Sequence, residues 1–116
     1  MRLFIPSFAV LASVLAGCTP AEAITPDASN DVDCSVIAFY FNREAARLGV
    51  PEDQQRATAA VHAWYSKRVH EIEAERGLQA IEKRADPLLV RLNRDPASML
   101  PASSACAERA VRAGLR

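Results

Sequence analysis

The sequence predicts an all-α protein, a small four- to five-helix bundle tied by one disulfide. Three observations carry that expectation. The chain is alanine-rich, with four glycines and few aromatics, a composition that favours helix over sheet. From Cys34 onward its apolar residues recur at spacings of three and four, the pattern of one buried helical face. Of three cysteines, Cys34 and Cys106 sit near the two ends of that periodic region. A folded part of roughly 80 residues has a marginal core, and a covalent staple helps it most.

The chain divides into three parts: 1–17, an export signal; 18–33, an attachment point and flexible tether; 34–116, the helical domain. Met1 and Arg2 give a positive start, and residues 3–16 are apolar apart from Pro6, Ser7 and Ser13. That run is shorter than the roughly 20 residues a spanning helix needs. A short apolar run behind a positive start reads as a signal peptide.

Leu15-Ala16-Gly17-Cys18 resembles the lipobox of bacterial lipoproteins. Small residues let a peptidase reach the backbone, and a thiol can carry a diacylglycerol on sulfur. The resemblance implies cleavage before Cys18, lipid on Cys18, and a membrane anchor. Thr19 follows, where an Asp would imply retention at the inner membrane; the expected location is the outer membrane, facing the periplasm. Ala21-Glu22-Ala23 offers a second cleavage site, which would leave a soluble periplasmic protein beginning at Ile24. On either route Cys18 is lipidated or removed. An even pair then remains in an oxidising compartment, so Cys34 and Cys106 are expected to be bridged.

Residues 19–33 hold two prolines, Ser29, Asn30 and three aspartates without helical periodicity. They read first as a tether of about 50 Å when extended and about 22 Å as a coil, and second as an ordered arm packed on the domain. The first helix is expected over 34–48, capped by Asp31 or Asp33, with Cys34, Ile37, Ala38, Phe41, Ala45 and Leu48 on its apolar face. Gly49 stops it. The second starts at Pro51, runs to Arg76 and carries Val61, Trp64, Tyr65, Val69 and Ile72 inward. Gly77 separates it from residues 78–94, whose spacing is helical across Asp86-Pro87. A proline there removes a hydrogen bond and costs about 3 kcal/mol, so one kinked helix and two short helices both fit. A last helix is expected over 102–113. In a plain up-down bundle the starts of first and last helix lie at opposite ends. The disulfide therefore requires the chain to return, either by a reversal at Asp86-Pro87 that makes five helices or by an extended connector over 95–101; the connector is the favoured route, with the last helix parallel to the first.

Charge and chemistry narrow the function. Removing residues 1–17 takes Lys+Arg from 14 to 13 against 14 acids, a formal −1. A near-neutral surface of mixed sign argues against a nucleic-acid partner. His62 and His70 diverge by about 80° on a helical wheel, which is poor geometry for a shared metal, and no metal or other cofactor is expected. Glu71, Glu73, Glu75 and Glu82 read as a solvated face pairing with Lys67, Arg68 and Arg76. Trp64-Tyr65 reads as core before pocket. Ser103 and Ser104 read as caps of the last helix. Arg68 falls inside the apolar stripe of the second helix, either paired and buried or snorkelling at its edge. No residue set passes as catalytic, so the expected role is non-enzymatic: a binding or structural accessory of the bacterial cell envelope, with an envelope protein as partner.

A second resemblance points to another class. Cys34 at the start of the first helix, with Pro101-Ala102-Ser103-Ser104-Ala105-Cys106 at the start of the last, resembles the two-cysteine periplasmic acid-stress chaperones. That resemblance implies a stress-protective role, in which low pH unfolds the protein and bares apolar surface.

Overall fold

Asn30 decides where the first helix begins. The computed structural model describes residues 24–115, so Cys18 and both expected cleavage sites lie outside the described residues. The Asn30 side chain accepts from the amides of Val32 at 2.9 Å and Asp33 at 3.2 Å. Asp31 and Asp33 then lie in the first turn, at the positive end of the helix dipole. Helix α1 therefore spans Asp31–Leu48, three residues longer at its start than the apolar pattern alone indicates. Gly49, at φ +67°, closes it: the Val50 amide bonds the Ala45 carbonyl, and the Gly49 amide that of Ala46.

Helix α2 spans Glu52–Arg76 and ends at Gly77, at φ +86°. Helix α3 is continuous over Leu78–Arg94, with Pro87 inside it. That answers the open question of one helix or two. Leu88 and Leu92, both fully buried, follow the proline directly and one turn later. Burying a leucine contributes about 1.5–3 kcal/mol, so the pair offsets the roughly 3 kcal/mol cost of Pro87.

The extended connector does not form. Pro96–Met99 is a 3-10 turn, and helix α4 follows at once over Leu100–Arg112. The last helix is also antiparallel to the first, not parallel. Going along α4, Ser103 shares a cavity wall with Phe41, Cys106 bridges Cys34, and Arg109 pairs with Asp31. Each step forward on α4 is a step back on α1. The reason is where Cys106 sits. It lies six residues into α4, about 9 Å below its start, so the helix has already descended to Cys34 when the sulfurs meet. A plain up-down-up-down order then satisfies a Cα–Cα distance of 5.5 Å.

Helix α1 packs against each of the other three. The core gathers Cys34, Ile37 and Tyr40 from α1, Tyr65 from α2, Leu88 and Leu92 from α3, Met99 from the turn, and Cys106 and Ala110 from α4. On α1, Tyr40 is buried, Phe41 half-buried, and Leu48 66% exposed. The expected inward face is thus rotated toward Tyr40 and fails at its last residue, which overhangs the end of the bundle. On α2 only Tyr65 is buried; Val61, Trp64, Val69 and Ile72 are half-buried. The long α2 has neighbours along one narrow edge.

Candidate functional site

The segment expected to be a loose tether is docked from Ile24 onward. Ile24 and Ala28 pack against the core, and three arginines from two helices hold the backbone between them and α1. Arg91 of α3 donates to the Ile24 carbonyl. Arg84, also of α3, donates to the Thr25 carbonyl at 3.0 Å. Arg109 of α4 donates to the Ser29 carbonyl at 3.0 Å. Backbone carbonyls that a free tether would offer to water are satisfied by guanidinium forks instead.

Aspartates fix two of the three arginines, Arg84 and Arg109, in turn. Asp33 is fully buried and accepts from Arg84 Nε at 2.6 Å and Nη2 at 2.7 Å, a bidentate pair. Its second oxygen also accepts the Asp27 amide at 2.8 Å. Hydrogen bonding to Asp33 holds the Arg84 guanidinium above its ordinary pKa, against the cost of desolvation. Asp31 receives Arg109 and, at 3.1 Å, Arg68. For Arg109 burial opposes the charge, and hydrogen bonds to Tyr65 and Asp31 outweigh it, so its pKa is also raised. The Tyr65 hydroxyl accepts from Arg109 at 3.2 Å and donates to the Cys106 carbonyl at 2.6 Å. Arg84 and Arg109 therefore tie the arm to the first turn of α1, and Arg109 reaches the disulfide-bearing Cys106 through Tyr65. Cys34 Sγ itself lies 3.2 Å from the Ala28 carbonyl, a contact rather than a hydrogen bond, because an oxidised sulfur has no proton.

Beside this clamp an apolar furrow opens between α1, α2 and α4. Its inner part, about 130 Å³, is lined by Ile37, Ala38, Phe41, Ala57, Val61 and Cys106, among others. Phe41, Thr58 and Ser103 border both this part and an outer groove of about 570 Å³. The outer groove is walled by Tyr40, Ala45, Leu48, Val50, Pro96, Ala97 and Leu100, with Leu48 and Leu100 mostly exposed at its rim. Glu44 is the carboxylate in that wall, and Arg47 binds it at 2.8 and 2.9 Å. The groove can hold an apolar chain or side chain.

The residues singled out from sequence are scattered. His62 leans on Phe39, with ring centroids 5.6 Å apart. His70 is exposed on α2, 3.8 Å from Glu73. Among the described residues no group of three His, Cys, Asp or Glu could hold a metal ion. Tyr65 is core as expected, and Trp64 stacks edge-on against it at 4.8 Å. Ser103 and Ser104 do not cap α4, which starts three residues earlier at Leu100. Arg68 resolves as an edge residue: 46% exposed, lying over Trp64 at 4.6 Å while reaching Asp31. The clamp residues Arg84, Arg91 and Arg109 escaped sequence reasoning. Their signal was the balance of three aspartates in the supposed tether against arginines bordering apolar stripes, with Arg84 and Arg91 seven apart on one helical face. Comparison of the chain with protein-family models, curated proteins and solved structures finds no match.

Proposed function

We propose that the chain is a small exported protein, anchored to the outer membrane through lipid on Cys18, and that it works as a non-enzymatic binding or structural accessory of the bacterial envelope. The observation that carries the binding role is the open apolar groove rimmed by Leu48 and Leu100. Apolar surface rimmed by polar residues is how docking sites are built, and the Glu44 carboxylate in its wall is already paired with Arg47. The anchor rests on Leu15-Ala16-Gly17-Cys18. One experiment addresses both. The full chain, made in cells with a photo-crosslinking residue at Leu100, is fractionated and weighed. The expected result is a Cys18 lipid mass in the membrane fraction, with one discrete adduct from position 100 and none from exposed Ala63. A mature N-terminus at Ile24 with soluble protein would end the anchor reading. Absence of any adduct at 100 would end the groove reading.

One observation favours the stress-protective alternative. The arm is held through ion pairs of Asp31 and Asp33 with arginines, and loss of those contacts would free Ile24 and Ala28 from the core. Suppression of client aggregation near pH 2–3 is the test. An accessory leaves clients unprotected.

A further inference from the structure

The disulfide lies beneath the docked arm. Cys34 is 0% exposed and Cys106 1%, so the closed structure offers a reductant no path to either. Cys34 stands in the first turn of α1, where the chain has only just entered the bundle. The core around it is helical, with Ile37 from α1, Tyr65 from α2, Leu88 from α3 and Ala110 from α4. Over that first turn the cover is the arm: the Ala28 carbonyl rests 3.2 Å from Cys34 Sγ, and Ile24 and Ala28 pack on the same core. The helices are held by their own hydrogen-bond ladders. The arm is held by side chains, namely Arg84, Arg91, Arg109 and Asp33. Its bonds to Arg84 and Arg109 lie open to solvent. Segments with few buried contacts and solvent-exposed hydrogen bonds are the first to open in a folded protein.

We propose that residues 24–30 are a strap that gates the redox chemistry of the bridge: a dithiol reduces Cys34–Cys106 once the strap has lifted, while the four helices stay folded. One thiolate of the dithiol attacks a bridge sulfur, forming a mixed disulfide and releasing the other cysteine as a thiolate. The second thiolate of the dithiol then displaces the first cysteine. Two electrons pass to the bridge, the reductant leaves as a disulfide, and water protonates the cysteine thiolates. Because Ala28 vacates the space beside Cys34, the first attack falls on Cys34 and Cys106 leaves. Entry through the apolar furrow would reach Cys106 instead, since that residue is part of its wall. In the reduced form Cys34 carries a proton that the Ala28 carbonyl can accept, so the strap can close again over the dithiol state. The device needs neither the lipid on Cys18 nor an occupant in the groove.

The test is the rate at which dithiothreitol reduces the oxidised full chain. Samples are alkylated and cut at aspartates, which puts Cys18, Cys34 and Cys106 on separate fragments. Arg91→Ala removes the strap's bond at Ile24 and leaves Asp31 and Asp33 paired. It should speed reduction about tenfold, the effect of losing one charge-assisted hydrogen bond. Met99→Ala hollows the buried core away from the strap and should speed reduction less. In the unaltered chain the rate should stay nearly flat up to about 1 M urea, because lifting a strap exposes little surface. With glutathione in place of the dithiol, the first trapped adduct should sit on Cys34. The urea and glutathione readings use the unaltered chain and do not depend on how a variant folds. A rate that climbs with the full urea slope of global unfolding overturns the strap. So does acceleration by Met99→Ala without acceleration by Arg91→Ala. A first adduct on Cys106 assigns entry to the furrow and overturns it as well.

Discussion

Arg84→Ala should be the most damaging single change on the surface of this bundle. It strands a carboxylate that water cannot reach: Asp33 is 0% exposed, while Arg84 is 35% exposed. The pair consists of two short bonds, 2.6 and 2.7 Å, to the two Asp33 oxygens. After the change Asp33 keeps the Asp27 amide and the N-terminal end of the α1 dipole, and nothing else compensates its charge. Removing one partner of a buried pair costs about 3–5 kcal/mol. The vacated guanidinium site is itself a third open to solvent, which admits water and sets the loss near the low end, about 3 kcal/mol. For a domain of this size the melting temperature should fall by about 12–24 °C. Asp33→Asn should cost less, about 1–2 kcal/mol, because the freed guanidinium can turn to water while the amide oxygen still accepts a bond. Combined, the two changes should cost less than their sum. Urea and thermal melts of the oxidised protein, followed by circular dichroism, measure all three. A loss below about 1 kcal/mol for Arg84→Ala, or a larger loss for Asp33→Asn than for Arg84→Ala, would refute the reasoning from unequal burial.

Reducing Cys34–Cys106 opens a span of 72 residues, worth about 4 kcal/mol in the chain-entropy model; melting with and without reductant measures it, and two free thiols in denatured, unreduced protein from the periplasm would contradict the bridge. Tyr65→Phe removes the hydroxyl that donates to the buried Cys106 carbonyl and accepts from Arg109 Nε, so stability should drop by about 1–2 kcal/mol in urea; an unchanged midpoint would mean water replaces the hydroxyl. Arg68→Ala should cost under about 1 kcal/mol, since Asp31 keeps Arg109. Asp27 sits below its ordinary pKa of 3.8 because the Ser29 hydroxyl and amide both bond its carboxylate. A carboxyl depressed on folding stabilises the native state above its unfolded pKa and loses that contribution as pH falls through the folded value. Asp27→Ala should therefore flatten the acid limb of stability below about pH 4, and an unaltered limb would assign that limb to other carboxylates.

Helix existence was legible because it depends on local spacing. Gly49 and Gly77 marked two stops correctly, since a left-handed or open backbone at those points is cheap for glycine alone. The bridge was legible from cysteine number and expected compartment. Three things were not. The direction of α4 depended on Cys106 lying two turns inside its helix, and a helix start is the least certain feature of an apolar pattern. The continuity of α3 through Pro87 depended on tertiary burial of Leu88 and Leu92, which local preference does not contain. The docked arm was read as polar and aperiodic, hence loose. Its order comes instead from arginines 51 to 80 residues away in sequence, a separation at which pattern reading is blind.

The bridge between Cys34 and Cys106 has a mechanical consequence. Tension applied between the arm and the C-terminus enters α1 and travels about one turn before it meets Cys34. From there the stiffest path is the sulfur–sulfur bond to Cys106, and then the last turns of α4. Residues 35–105, with α2, α3 and most of the groove, lie on a covalent loop outside the load path. A pull can peel the arm from Arg91 and Arg84 one after the other, yielding length in small steps, while the looped body keeps its shape. Reduction would reroute the same force through every helix in series.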